Sequence, residues 1–115
     1  MAYSVTMDEP FTAQRAIRDK WTLLCDTLQF DSIKGLLIEE HVIEPHQKES
    51  IDSKTCDYNK IDAVLDILIR NLRNRPDLFS KFLTILTKIG KHQIRNELEQ
   101  SYKNLTSRRN LSPGT

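Results

Sequence analysis

The side chains able to do chemistry are few and poorly spaced for it. Cys25, Cys56, His41, His46 and His92 are the only thiols and imidazoles in 115 residues. A zinc site needs three or four such ligands at helix or knuckle spacing. Here no Cys-x-x-Cys or His-x-x-x-His occurs, and His41 and His46 stand five apart. Spacing in sequence does not settle a Cys–His nucleophile pair, but a chain this short has too few residues for a hydrolase core plus a substrate cleft. Glu39 and Glu40, or Glu97 and Glu99, are carboxylate pairs. Successive helical residues diverge by about 100°, so neither pair converges on one substrate atom. Three glycines leave no room for a phosphate-cradling loop. The expectation is no catalytic residue, no cofactor and no metal.

The elements that carry these residues all read as helix. Ile17, Trp21, Leu24 and Leu28 recur as one stripe of a 3.6-residue helix over about 12–30. A second helix starts at Asp31 or Ser32, carries Ile33, Leu36 and Leu37, and ends near His41. Pro45 suits a first helical position and opens a short third helix to about Ser53, anchored by Ile51. Ile61, Val64, Leu65, Leu68, Ile69 and Leu72 make the clearest stripe of all. Pro76 begins a fifth helix with Phe79, Phe82, Leu83, Leu86 and Ile89 inward, stopped by Gly90. The sixth, about 91–104, places Ile94, Leu98, Tyr102 and Leu105 on one side. No segment alternates as a half-buried strand would. The fold class is all-α, a six-helix antiparallel bundle over 12–106. Residues 1–11 read as a flexible arm and residues 107–115 as a disordered tail.

Composition narrows the classes further. Leu, Ile, Val and Phe supply 32 of 115 residues, more than a disordered chain carries. No apolar run approaches the roughly 20 residues of a membrane helix, and Met1–Pro10 has neither the basic start nor the apolar centre of a secretory signal. Two cysteines make no disulfide framework. The chain reads as cytoplasmic and reduced, and the two Asn-x-Ser/Thr sequences at Asn104 and Asn110 as chance matches.

The net charge is only +1, but it is unevenly placed. Residues 35–53 hold Glu39, Glu40, Glu44, Glu49 and Asp52 against Lys48 alone. Residues 54–76 and 77–109 carry basic excesses of two and four. Helical geometry turns Arg15 on the first helix, and Arg70 on the fourth, away from the apolar stripes. A body with one acidic and one basic face is not self-complementary about a two-fold axis. It associates head-to-tail, into rings or filaments. On charge alone an ordinary solvated exterior reads as well.

Several of these motifs together resemble caspase recruitment domains. Leu36-Leu37 followed by Val42-Ile43 is similar to the family's second helix and the turn after it. Pro45 to Ile51 looks like its short third helix. Ala63-Val64-Leu65-Asp66-Ile67-Leu68 resembles the Leu-Leu-Asp-Leu-Leu centre of the fourth. Phe79 to Gly90 matches the fifth helix's Phe-x-x-Phe-Leu-x-x-Leu-x-x-x-Gly, and Lys91-His92-Gln93-Ile94 continues it. The likeness covers about residues 12–105. It implies a death fold, six helices in a Greek-key bundle with a bent first helix, whose function is homotypic docking in apoptotic or innate-immune signalling. The partner is another such domain, on a caspase, scaffold or adaptor. The basic face would comprise Arg15, Arg18, Lys60 and Arg70, on the first and fourth helices. The acidic face would comprise Glu39, Glu40, Glu44, Glu49 and Asp52, on or beside the second and third.

Two other readings start from the last helix. Arg95-Asn96-Glu97-Leu98 is similar to the Arg-x-Asp-Leu of death effector domains, with Glu for Asp. Lys91, Arg95, Lys103, Arg108 and Arg109 would suit a nucleic-acid binder, but Tyr102 is the only aromatic among them. Such cations also favour a helix C-terminus, and nucleic acid is not expected as a partner.

Overall fold

The stripe from Ile61 to Leu72 forms the helix around which the others are arranged. The computed structural model describes residues 10–110, with side chains over 11–106. Its helices are α1 (Pro10–Asp19), α2 (Trp21–Thr27), α3 (Phe30–Glu39), α4 (Pro45–Asp52), α5 (Asp57–Leu72), α6 (Leu78–Lys88) and α7 (His92–Asn110). The described residues contain no strand. All six stripe residues of α5 are buried, and α5 packs against α1, α2, α3, α4 and α6. The last helix, α7, closes the bundle against α1 and α6. There the rings of Phe79 and Tyr102 stack with centroids 5.0 Å apart, an offset arrangement that adds to the area they bury.

Seven helices stand where six were expected, because the first is interrupted at Lys20. Its backbone (φ −108°, ψ 15°) leaves the helical region, and its N–H is shared between the carbonyls of Ala16 and Ile17 at 3.2 Å each. The chain then resumes as α2, which packs on α5. A second break comes earlier than expected. Leu28 and Gln29 are extended, so Phe30 does not end the first helix but opens α3, fully buried.

The ends also differ from expectation. Pro10 and Phe11 already belong to α1, in keeping with proline's fitness for a first turn that needs no N–H partner. The backbone of residues 107–110 continues α7, since nothing before Pro113 stops a helix. The remainder of the expected arm and tail, 1–9 and 111–115, lies outside the described residues.

Two helices end in the same hydrogen-bonded motif with different residues at its left-handed position. After α3, the N–H of Val42 donates to Leu37 O at 2.8 Å and that of His41 to Ile38 O at 3.0 Å. After α6, Lys91 donates to Leu86 O at 2.9 Å and Gly90 to Thr87 O at 3.0 Å. Both are Schellman closures. Gly90 takes φ 82° without strain, whereas His41 adopts φ 61° with a side chain attached. The first closure turns Val42 and Ile43 into the core, where both are buried.

Candidate interaction surfaces

Every predicted site residue inside the bundle lies on an outer face, but the structure sorts them differently from their order in sequence. Arg15 and Arg18 project from α1, exposed and without an ion-pair partner among the described residues. Arg15 borders Phe11, which is 65% exposed, together with Thr12 and Leu105. Both arginines also line a polar groove between α1 and α7, with Asp19, Glu97, Gln100 and Ser101 among its walls. In that groove Ser101 Oγ donates to Asp19 at 3.0 Å, and Lys20 lies 3.7 Å from Glu97.

Arg18 has a second neighbourhood, a cleft of about 330 Å³ between α1, α2 and α5 lined by Trp21, Asp66 and Ile69. The core position expected for Trp21 is only half realised. Its ring is partly buried, and its indole Nε1 donates to Asp62 Oδ1 at 2.8 Å. Arg70 stands one turn beyond Asp66 on α5 and is ion-paired to it. Arg70 faces a groove of about 680 Å³ between α4 and α5, whose lining includes Ile51, Ala63, Asp66 and Ile67. Lys60 lines neither space. It is half-buried near the start of α5, and its charge acts instead on Asp52.

The acidic set divides in a similar way. Glu39 on α3 and Glu49 on α4 are exposed and have no ion-pair partner among the described residues. Glu40, just past the end of α3, is committed internally. Its carboxylate lies 3.5 Å from Lys81 and 3.7 Å from Lys88 of α6, and its side chain is only 22% exposed. Glu44 is the N-cap of α4, in a capping-box arrangement with Gln47, whose Oε1 accepts the Glu44 N–H at 2.8 Å. A carboxylate there also suits the positive end of the helix dipole.

Asp52, at the end of α4, accepts from Lys48 Nζ at 2.9 Å and lies 3.8 Å from Lys34 of α3. The Lys48 hydrogen bond, helped by the charges of Lys34, Lys48 and Lys60, holds its carboxyl below the usual aspartate range. Hydrogen bonding to Asp31 likewise raises the ammonium pKa of Lys34. Three of the five expected carboxylates therefore act within the fold, as an interhelix clamp, a cap and an ion-pair hub.

Other predicted chemistry is quickly placed. Cys25 is buried in α2, and desolvation, with Asp62 and Asp26 adding to it, pushes its thiol up to about 11. Cys56 is exposed as the N-cap of α5. No group of three or more His, Cys, Asp or Glu side chains among the described residues could hold a metal ion, and no helix there is long and apolar enough to cross a membrane. On α7, Glu99 lies between Arg95 at 3.0 Å and Lys103 at 3.8 Å, while Glu97 faces Lys20. The side chains of Arg108 and Arg109 fall outside the described residues. No family model, curated protein or solved structure matches the chain.

Proposed function

We propose that this chain is a homotypic docking module of the caspase recruitment type, a binding domain rather than an enzyme, which recruits or regulates a signalling partner of the same fold in the cytoplasm. The observation that carries the reading is the pairing state of the surface charges. Among the described residues Arg15 and Arg18 on α1 have no ion-pair partner, and neither have Glu39 on α3 and Glu49 on α4. Their helices pack differently. The main neighbours of α1 are α5 and α7, whereas those of α3 are α4, α5 and α6. A basic surface and an acidic surface carried on different helices suit head-to-tail contact. Charge complementarity of this kind contributes specificity and on-rate.

Three fold features support the family reading. The interruption at Lys20 suits the bent first helix of a six-helix death fold, with α1 and α2 as its two halves. The buried Val42-Ile43 turn follows Leu36-Leu37 in the family's order, and Gly90 ends α6 where the family's fifth helix ends. In this assignment α3, α4, α5, α6 and α7 are the second to sixth helices of a Greek key.

The test uses complementary charge removals. One copy carries Arg15→Ala and Arg18→Ala, the other Glu39→Ala and Glu49→Ala. Each alone should fail to self-associate in sedimentation velocity, while a mixture forms a one-to-one complex through the two intact surfaces. If neither the wild-type chain nor the mixture associates, the self-docking reading is wrong.

A further inference from the structure

We infer that Asp66 is a built-in competitor for the guanidinium groups of the basic surface and sets how tightly a second copy docks there. The inference rests on the docking reading above. The outward row of α5 places Asp62, Asp66 and Arg70 at four-residue intervals, one above another on the same face. Asp62 is engaged by the Trp21 indole. Asp66 holds Arg70 in an ion pair. It also forms the ridge between two spaces, the cleft it shares with Arg18, Trp21 and Ile69 and the groove it shares with Arg70. No ion pair among the described residues joins Arg18 to Asp66, so the cleft is open between a cationic and an anionic wall.

A carboxylate arriving from a second copy meets Arg18 beside a charge of its own sign. At Arg70 it competes with Asp66, which is tethered one helical turn away and so always present. The Arg70 and Asp66 side chains are 72% and 51% exposed. An exposed pair of this kind adds little to fold stability, and its weight falls on the surface potential that a partner feels. Asp66 is thus a repulsive element within an attractive surface, one of the two ways an interface gains selectivity.

The two copies described above isolate the contact, because one keeps only its basic surface and the other only its acidic surface. Asp66→Asn in the copy with the intact basic surface should tighten the complex by about two- to fivefold in low salt, the range of an exposed ion pair. The gain should fade near ~0.5 M salt as screening sets in. The same substitution in the copy with the intact acidic surface should change nothing. Adding Arg70→Gln to Asp66→Asn should remove part of the gain, the share that the freed guanidinium supplies beyond the relief of repulsion beside Arg18.

Unchanged or weaker binding, equal tightening in both copies, or a gain indifferent to Arg70→Gln would each overturn the inference. Circular dichroism melting of each variant reports whether the fold is intact. Should the two copies fail to bind at all, the surfaces assigned to docking fall and Asp66's role with them. Should they bind without responding to Asp66→Asn, only the role of Asp66 falls.

Discussion

Trp21 Nε1 and Asp62 Oδ1 lie 2.8 Å apart across the junction of α2 and α5. This hydrogen bond ties the segment after the Lys20 interruption to the central helix, and the indole is the chain's only one. Asp62→Ala should therefore be visible twice. Chemical denaturation should show a loss of about 1 kcal/mol, the usual net value of such a bond at a partly solvated site. Native tryptophan emission should shift, because the ring loses its anionic partner. An unchanged spectrum and midpoint together would mean that α2 is held by its apolar contacts alone.

Glu40 and Glu39 are adjacent in sequence and should behave oppositely. Glu40 clamps the end of α3 to Lys81 and Lys88 of α6, whereas Glu39 touches no cation among the described residues. Glu40→Ala is expected to lower stability by up to about 1 kcal/mol, as for a half-exposed ion pair, and to leave association within about twofold. Glu39→Arg is expected to leave the melting temperature unchanged and to weaken association at least about tenfold. Thermal melts and sedimentation on the same samples separate the two effects.

Glycine and histidine at the helix ends and centres give a signed set of stability changes. Gly35 sits inside α3 on an exposed face, with nothing within 4 Å of where a Cβ would stand. Gly35→Ala should stabilise by about 0.5–1 kcal/mol through helix propensity and a less disordered unfolded chain. Gly90→Ala should destabilise by about 1–2 kcal/mol, because φ 82° is a left-handed conformation. His41→Gly should stabilise by about 0.5 kcal/mol, relieving the strain at φ 61° against the added chain entropy of glycine. The carbonyl of residue 41, which accepts from Arg75 Nη1 at 2.8 Å, remains in that variant. Urea denaturation of the three proteins checks both signs and order.

How much of this was legible beforehand depends on the range over which each feature is fixed. The α5 stripe, the Pro45 start and the Gly90 stop are local, and spacing or residue type alone marks them. Leu78 and Ile85 escaped the stripe assigned to α6 because that helix packs against α3, α5 and α7 at once. A helix enclosed on several sides buries more than one narrow face. The Lys20 interruption has no glycine or proline to announce it. The internal commitment of Glu40 was invisible because Lys81 lies 41 positions away. Asp66 and Arg70 are the instructive exception. Their four-residue spacing alone marks a helical ion pair, and the pair is present.

The two cysteines should separate cleanly in their reactivity. The thiolate is the nucleophile, and Cys25 is both 2% exposed and held protonated, with its pKa pushed up to about 11. Cys56 is exposed. An aromatic disulfide reagent at neutral pH should titrate one thiol rapidly in the native protein and the second only on unfolding. Cys56→Ser should abolish the rapid phase. A rapid phase that survives in that variant would show that α2 opens readily.

The pH dependence of stability has a sign at each end. Asp52 in the folded protein has a pKa below its ordinary 3.8, chiefly through the Lys48 hydrogen bond. Between those two values the unfolded chain binds more protons than the folded one. The contribution is therefore present above about pH 4 and is lost as pH falls through the lower folded value. Lys34 and Cys25 have raised folded values, from 10.5 by hydrogen bonding to Asp31 and from 9.0 to about 11 by burial. Their contributions are complete below the unfolded values and are lost as pH rises through the folded ones. For Cys25 that decline runs from about pH 9 to about pH 11. Asp52→Asn should flatten the acid limb of a urea-midpoint profile and reduce the alkaline limb only by the share of the Lys34 shift that Asp52 supplies. Cys25→Ala should lower the whole curve by the packing it removes while flattening its alkaline side. An acid limb of wild-type slope in Asp52→Asn would place the sensitive carboxylate elsewhere.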